Sequence, residues 1–77
     1  MCNHEVVRLI NEGLFLVNVD ECCTFQQDEY VEVLSVKSPH TILAQVCEVY
    51  EKYVLCMKME TSKVFYGEKV RSYHSDS

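Results

Sequence analysis

The chain has 77 residues, 48% of them hydrophobic and 25% charged, with two glycines, one proline and a net charge of −5. A chain this short buries only roughly 63% of its unfolded surface, in one core, so a two-domain enzyme with an interdomain cleft is excluded, as are collagen-like and disordered chains. No apolar run exceeds the five residues Tyr53 to Met57, far short of the ~20 residues of a bilayer-crossing helix. No basic stretch leading into an apolar core marks a secretion signal, and the expectation is one cytoplasmic domain over residues 1–77.

Asn3 suits a helix N-cap, and Val6, Val7, Leu9, Ile10 and Leu14 follow at helical spacing, which predicts a helix over about residues 4–12 capped by Gly13. Leu14 to Val19 then reads as a strand closed by Asp20 and Glu21. Residues 29–37 alternate, with Tyr30, Glu32 and Leu34 on one side and Val31 and Val33 on the other, before Pro39 ends the run. Thr41 to Glu60 predicts a hairpin turning at Glu51 and Lys52, with Val49 opposite Val54, Cys47 opposite Cys56 and Gln45 opposite Lys58. That register turns Ile42, Ala44, Val46, Tyr50, Leu55, Met57 and Met59 to one face, which reads as core, and it sets Cys47 and Cys56 near enough for a cross-strand disulfide. Lys63–Tyr66 and Lys69–Tyr73 read as two further short strands around Gly67, with a frayed tail over residues 74–77. The sum is an α+β domain, an N-terminal helix followed by about five short antiparallel strands, as in an SH3-like small barrel.

Little in the sequence points to catalysis. Two glycines as far apart as 13 and 67 exclude a phosphate-cradling loop and a nucleophile elbow. The neighbouring carboxylates Asp20–Glu21 and Asp28–Glu29 do not face one another on an extended chain, so no acid–base pair stands out. Five cysteines (Cys2, Cys22, Cys23, Cys47 and Cys56) make an odd count that suits reduced thiols in a cytosolic protein. A zinc site from Cys2, His4, Cys22 and Cys23 lacks the usual two to four residues between paired ligands, and no metal or cofactor is expected.

Charge carries the functional expectation. Residues 1–36 hold seven acids and one base, Arg8, whereas residues 37–77 hold six bases and five acids. The block Asp20, Glu21, Asp28, Glu29 and Glu32 predicts an acidic surface that docks on a protein partner with a basic face, although such a block also suits a solvated face. The last third interleaves rings with cations at Lys63, Tyr66, Lys69, Arg71 and Tyr73. That pattern suits a small barrel holding single-stranded nucleic acid, or lysines guarding an open strand edge through which copies could pair.

Met1–Cys2 resembles the opening of the hydrogenase maturation chaperones, small barrels with a functional second-position Cys. Residues 3–8 lack the Gly and Pro residues that follow the Cys there, and no role carries over. Size, acidity and texture resemble compact phage proteins that block host defence systems. The expectation is therefore a small non-enzymatic regulator or inhibitor of viral or mobile-element type with an acidic docking surface. A nucleic-acid-binding barrel and a zinc-stabilised domain are its alternatives, and a homodimer would suit an open edge.

Overall fold

Among the described residues, nine of the fourteen buried apolar side chains are valine, and a branched Cβ, stiff at χ1, favours extended backbone over helix. The computed structural model describes residues 3–20, 23–37 and 40–73. Among them there is no helix, only strands: β1 (His4–Leu9), β2 (Leu14–Asn18), β3 (Tyr30–Leu34), β4 (Ile42–Val49), β5 (Tyr53–Lys58) and β6 (Lys69–Ser72). They form a closed antiparallel barrel in the order β1-β2-β5-β4-β3-β6. β3, β4 and β5 follow one another as hairpins and β6 returns beside β3, a Greek key. The β1–β2 hairpin fills the gap, and the barrel closes where His4 pairs with Val70 and Glu5 with Lys69. Inside lie Val6, Phe15, Val17, Val31, Val33, Ile42, Ala44, Val46, Val54, Cys56 and Val70. Each valine, isoleucine or phenylalanine among them contributes roughly 1.5–3 kcal/mol by leaving water.

The helix expected over residues 4–12 is replaced by β1 and the tip of a hairpin. Asn11 Oδ1 accepts from the Gly13 and Leu14 amides at 2.8 and 3.0 Å, and the Ile10 amide donates to the Leu14 carbonyl at 3.0 Å. Gly13 keeps ordinary backbone angles, unlike Gly67 at φ 86°, so it is a turn residue and no left-handed cap. The register slips between Val6 and Arg8, since Val6 faces Val17 and Arg8 faces Leu16. One inserted residue breaks the alternation, and that irregular apolar spacing is what imitates a helix.

A second bulge corrects the β4–β5 hairpin. Val49 faces Val54 as expected, but Val46 faces Cys56 and Gln45 faces Met57, with the slip at Cys47. A one-residue shift moves a strand's side chains to the other face. Val54 and Cys56 are therefore buried, while Leu55 and Met57 point outward. Cys47 does not face Cys56, and both are free. Residues 63–66, expected as a strand, form a loop in which the Phe65 amide donates to Glu68 Oε1 at 2.8 Å. Closure gives β6 a partner on each side, so Lys69 guards no open edge. The tail expected to fray, 74–77, lies outside the described residues.

Candidate functional site

Barrel closure sorts the chain into two ends and an outer wall. Residues 23–29 run across one end, where Val19 and Phe25 are buried and the Phe25 ring lies 4.5 Å from that of His4. The opposite end carries the β1–β2 tip, the segment after β3 and loop 59–68.

The expected acidic surface divides. Glu29 accepts from the Gln26 amide at 2.9 Å and from Ser72 Oγ at 2.7 Å, and Glu32 accepts from Thr41 Oγ1 at 3.0 Å and pairs with Arg71. These two carboxylates tie β3 to its neighbours. Asp28 is exposed at φ 69° in the turn before β3, with its amide bonded to the Val46 carbonyl at 2.9 Å. Asp20 is exposed after β2, where its carboxylate accepts from the Cys23 amide at 3.0 Å. Glu21 lies outside the described residues. Near Asp20 a cavity is lined by Val19, Glu51 and Lys52, and the exposed Glu48 lies toward the same end, just before Val49 closes β4.

The aromatic and basic set divides too. Lys69 pairs with Glu5 at 3.1 Å and bonds Asn3 Oδ1 at 3.2 Å, while Arg71 is held by Glu32. The Tyr73 amide bonds the Tyr30 carbonyl at 3.0 Å, on the wall of the barrel. Lys63 and the 73%-exposed Tyr66 lie apart from them on loop 59–68. The five residues form no continuous basic stripe.

What sequence reasoning missed is the outer wall of β2 and β5. Phe15 and Val17 point inward, so Leu14 and Leu16 point out; cross-strand pairing sets Leu14 beside Met57, Leu16 beside Leu55 and Asn18 beside Tyr53. Ile10, bonded to Leu14, extends the row. Ile10 is 49% exposed, Met57 43% and Tyr53 41%, and the Tyr53 ring lies 5.2 Å from that of Tyr50. Glu48, opposite Leu55, and Glu51 border this face together with Asp20, against Arg8 and Lys52. The apolar run 14–17 carried a signal, since a strand buried on one face only would alternate, but the unbulged register across Cys47 placed Leu55 and Met57 inward and so hid their half of the face.

Of the four residues weighed as zinc ligands, Cys2 and Cys22 lie outside the described residues. His4 Nδ1 is 2.8 Å from the Asn18 carbonyl, and Cys23 is disulfide-bonded, against the expectation of reduced thiols. Among the described residues no three His, Cys, Asp or Glu side chains cluster as metal ligands. Burial, and secondarily Cys47, pushes the Cys56 thiol up to about 12, so it is no nucleophile. The Glu60 carboxyl is held below its ordinary value, first by the Ser62 hydroxyl and then by the Leu43 amide and His40, while desolvation acts the other way. No helix of the described residues is long and apolar enough to cross a membrane. No protein-family model, curated protein or solved structure matches the chain.

Proposed function

We propose that the protein is a binding module without catalytic activity, a small regulator that docks on another protein through the outer wall of β2 and β5. The observation that carries this reading is the block Ile10, Leu14, Leu16, Tyr53, Leu55 and Met57 on the outside of a barrel whose interior is already filled. A contiguous apolar face on a soluble domain marks an interaction surface. Its border selects the partner: Asp20, Glu48 and Glu51 outnumber Arg8 and Lys52, which suits an apolar centre ringed by basic side chains. The acidic surface of the sequence reading survives here through Asp20, while Glu29 and Glu32 serve the barrel itself.

The test begins with light scattering of the purified protein, because a dimer that Met57→Lys dissociates would reassign the face to a second copy and overturn the reading. The protein and its Ile10→Lys and Met57→Lys variants are then used in parallel for affinity capture, and the captured partner is identified, purified and titrated. The expected result is a weakening of about tenfold or more by either variant and by Glu48→Lys with Glu51→Lys, with melting curves unchanged. Variants that stay folded and bind as the parent does would remove this face from consideration.

A further inference from the structure

The barrel end opposite the acidic border holds two adjoining cavities that share Lys63. The smaller, about 280 Å³, is lined by Ser35, Lys37, Ser62, Lys63 and Phe65, with no carboxylate among them. The larger, about 480 Å³, is lined by Leu9, Asn11, Glu12, Lys58, Thr61, Lys63 and Val64. Volumes of this order match those of small-molecule sites, which are roughly 300–1,000 Å³ and combine an apolar floor with a few polar groups.

The charges at this end are unevenly committed. Glu68, only 6% exposed, accepts from Ser35 Oγ at 2.7 Å and the Phe65 amide at 2.8 Å. Glu60 accepts from Ser62 Oγ at 2.8 Å and the Leu43 amide at 3.3 Å, with His40 Nε2 at 3.6 Å. Lys58 donates to the Ser62 carbonyl at 2.8 Å. Both acids beside the smaller cavity are thus engaged, whereas among the described residues the Lys63 side chain has no hydrogen bond or ion pair, and the Lys37 ammonium meets only the Phe65 ring, 4.5 Å from its centroid. Two ammonium groups without counter-ions flank a cavity that lacks carboxylates. In the larger cavity, Leu9 and Val64 give an apolar floor. Asn11 has its oxygen committed to the Gly13 and Leu14 amides, which leaves its NH₂ to donate, and Glu12 is an exposed acceptor.

We propose that these cavities together form a site for a nucleotide unit, free or within a single strand. Its phosphate lies between Lys37 and Lys63, and its base rests on Leu9 and Val64 with a polar edge toward Asn11 and Glu12. A phosphate needs the concentrated positive charge that the first cavity supplies, and a planar ring with a polar rim needs the mixed lining of the second. None of the six docking-face residues lines either cavity, so this site stands or falls independently of the face on β2 and β5.

The test is an amide chemical-shift titration of the full chain with 5′-nucleoside monophosphates, with inorganic phosphate, with the nucleosides, and with a single strand of about ten residues. Monophosphates are expected to shift the amides of Leu9, Asn11, Lys37, Lys63 and Val64, and Lys63→Glu to raise Kd about tenfold or more without changing the rest of the spectrum. For the oligonucleotide, raising salt from about 50 to about 200 mM should weaken binding about sevenfold if two phosphates are neutralised. Tighter binding of the strand than of the monophosphate makes a single strand the ligand, and equal binding makes it the free nucleotide. Absence of shifts at about 10 mM monophosphate, equal shifts from inorganic phosphate alone, or binding indifferent to Lys63→Glu each overturn the proposal.

Discussion

Cys56 is a thiol with nowhere to place a charge. It sits among valines opposite Val46, and its folded-state value of about 12 lies well above its ordinary 9.0. In that interval the unfolded chain has released the proton and the folded chain still holds it, so the unfolded state binds fewer protons. Stability is then lost as pH rises above about 9, by about 1.4 kcal/mol per pH unit, and is untouched by this group below that pH. Melting temperature should fall more between about pH 8 and about pH 10 in the parent than in Cys56→Ala, even though the variant, with its small cavity, starts lower. Parallel slopes in the two proteins would show that the thiol does not govern alkaline unfolding. The same burial predicts that Cys47, half-buried at the bulge, reacts with alkylating reagents long before Cys56 does.

The two glycines separate the hairpin from the helix it replaces. A methyl group on Gly13 would meet only Asn11 Oδ1 at 3.8 Å, an ordinary contact, on backbone that any residue can adopt. Gly13→Ala should therefore leave stability equal or raised by up to about 1 kcal/mol, through a stiffer unfolded chain. Gly67 has open space around it but holds φ 86°, and Gly67→Ala should cost about 1–2 kcal/mol from backbone strain alone. Urea unfolding of both variants checks the pair, and a large loss at Gly13 would restore the helix cap. β2, β3 and the inner face of β4 were legible because Phe15 and Val17, Val31 and Val33, and Ile42, Ala44 and Val46 keep a strict period of two. β1 was not, nor was the inward face of β5, because one depends on a bulge at Val7 and the other on a bulge in β4 at Cys47, which no local pattern marks. The candidate sites followed the same logic. Lys63 and Asp20 stood out as charges, but whether a charge is free depends on partners such as Arg71 for Glu32, 39 residues away, and only the closed barrel supplies those.

Across the whole molecule, the linear split between an acidic first half and a balanced second half becomes a split between two ends. Asp20, Asp28, Glu48 and Glu51 gather at one end against Lys52, whereas at the other Lys37, Lys58 and Lys63 offset Glu12, Glu60 and Glu68, so the net charge of −5 is concentrated toward one end of the barrel. Such a field orients an approaching charged partner and weakens with salt. The ladder between β1 and β6 has a separate consequence. Because His4 stands beside Val70, the chain comes back to where it set out, and its connectivity can be rewritten without redrawing its architecture. A circular permutant that joins Tyr73 to Asn3 by a short linker and starts at Gly13 keeps all six pairings but exchanges the range of two: β1–β6 becomes a local hairpin, and β1–β2, cut at its tip, becomes the most distant pair. Equilibrium stability should stay within about 1 kcal/mol of the parent, while the folding rate falls, because the longer β1–β2 ladder now has to close the barrel across the whole chain. Stopped-flow refolding would measure that change, and an unaltered rate would mean that the β3–β4–β5 meander limits folding whatever the order of its neighbours.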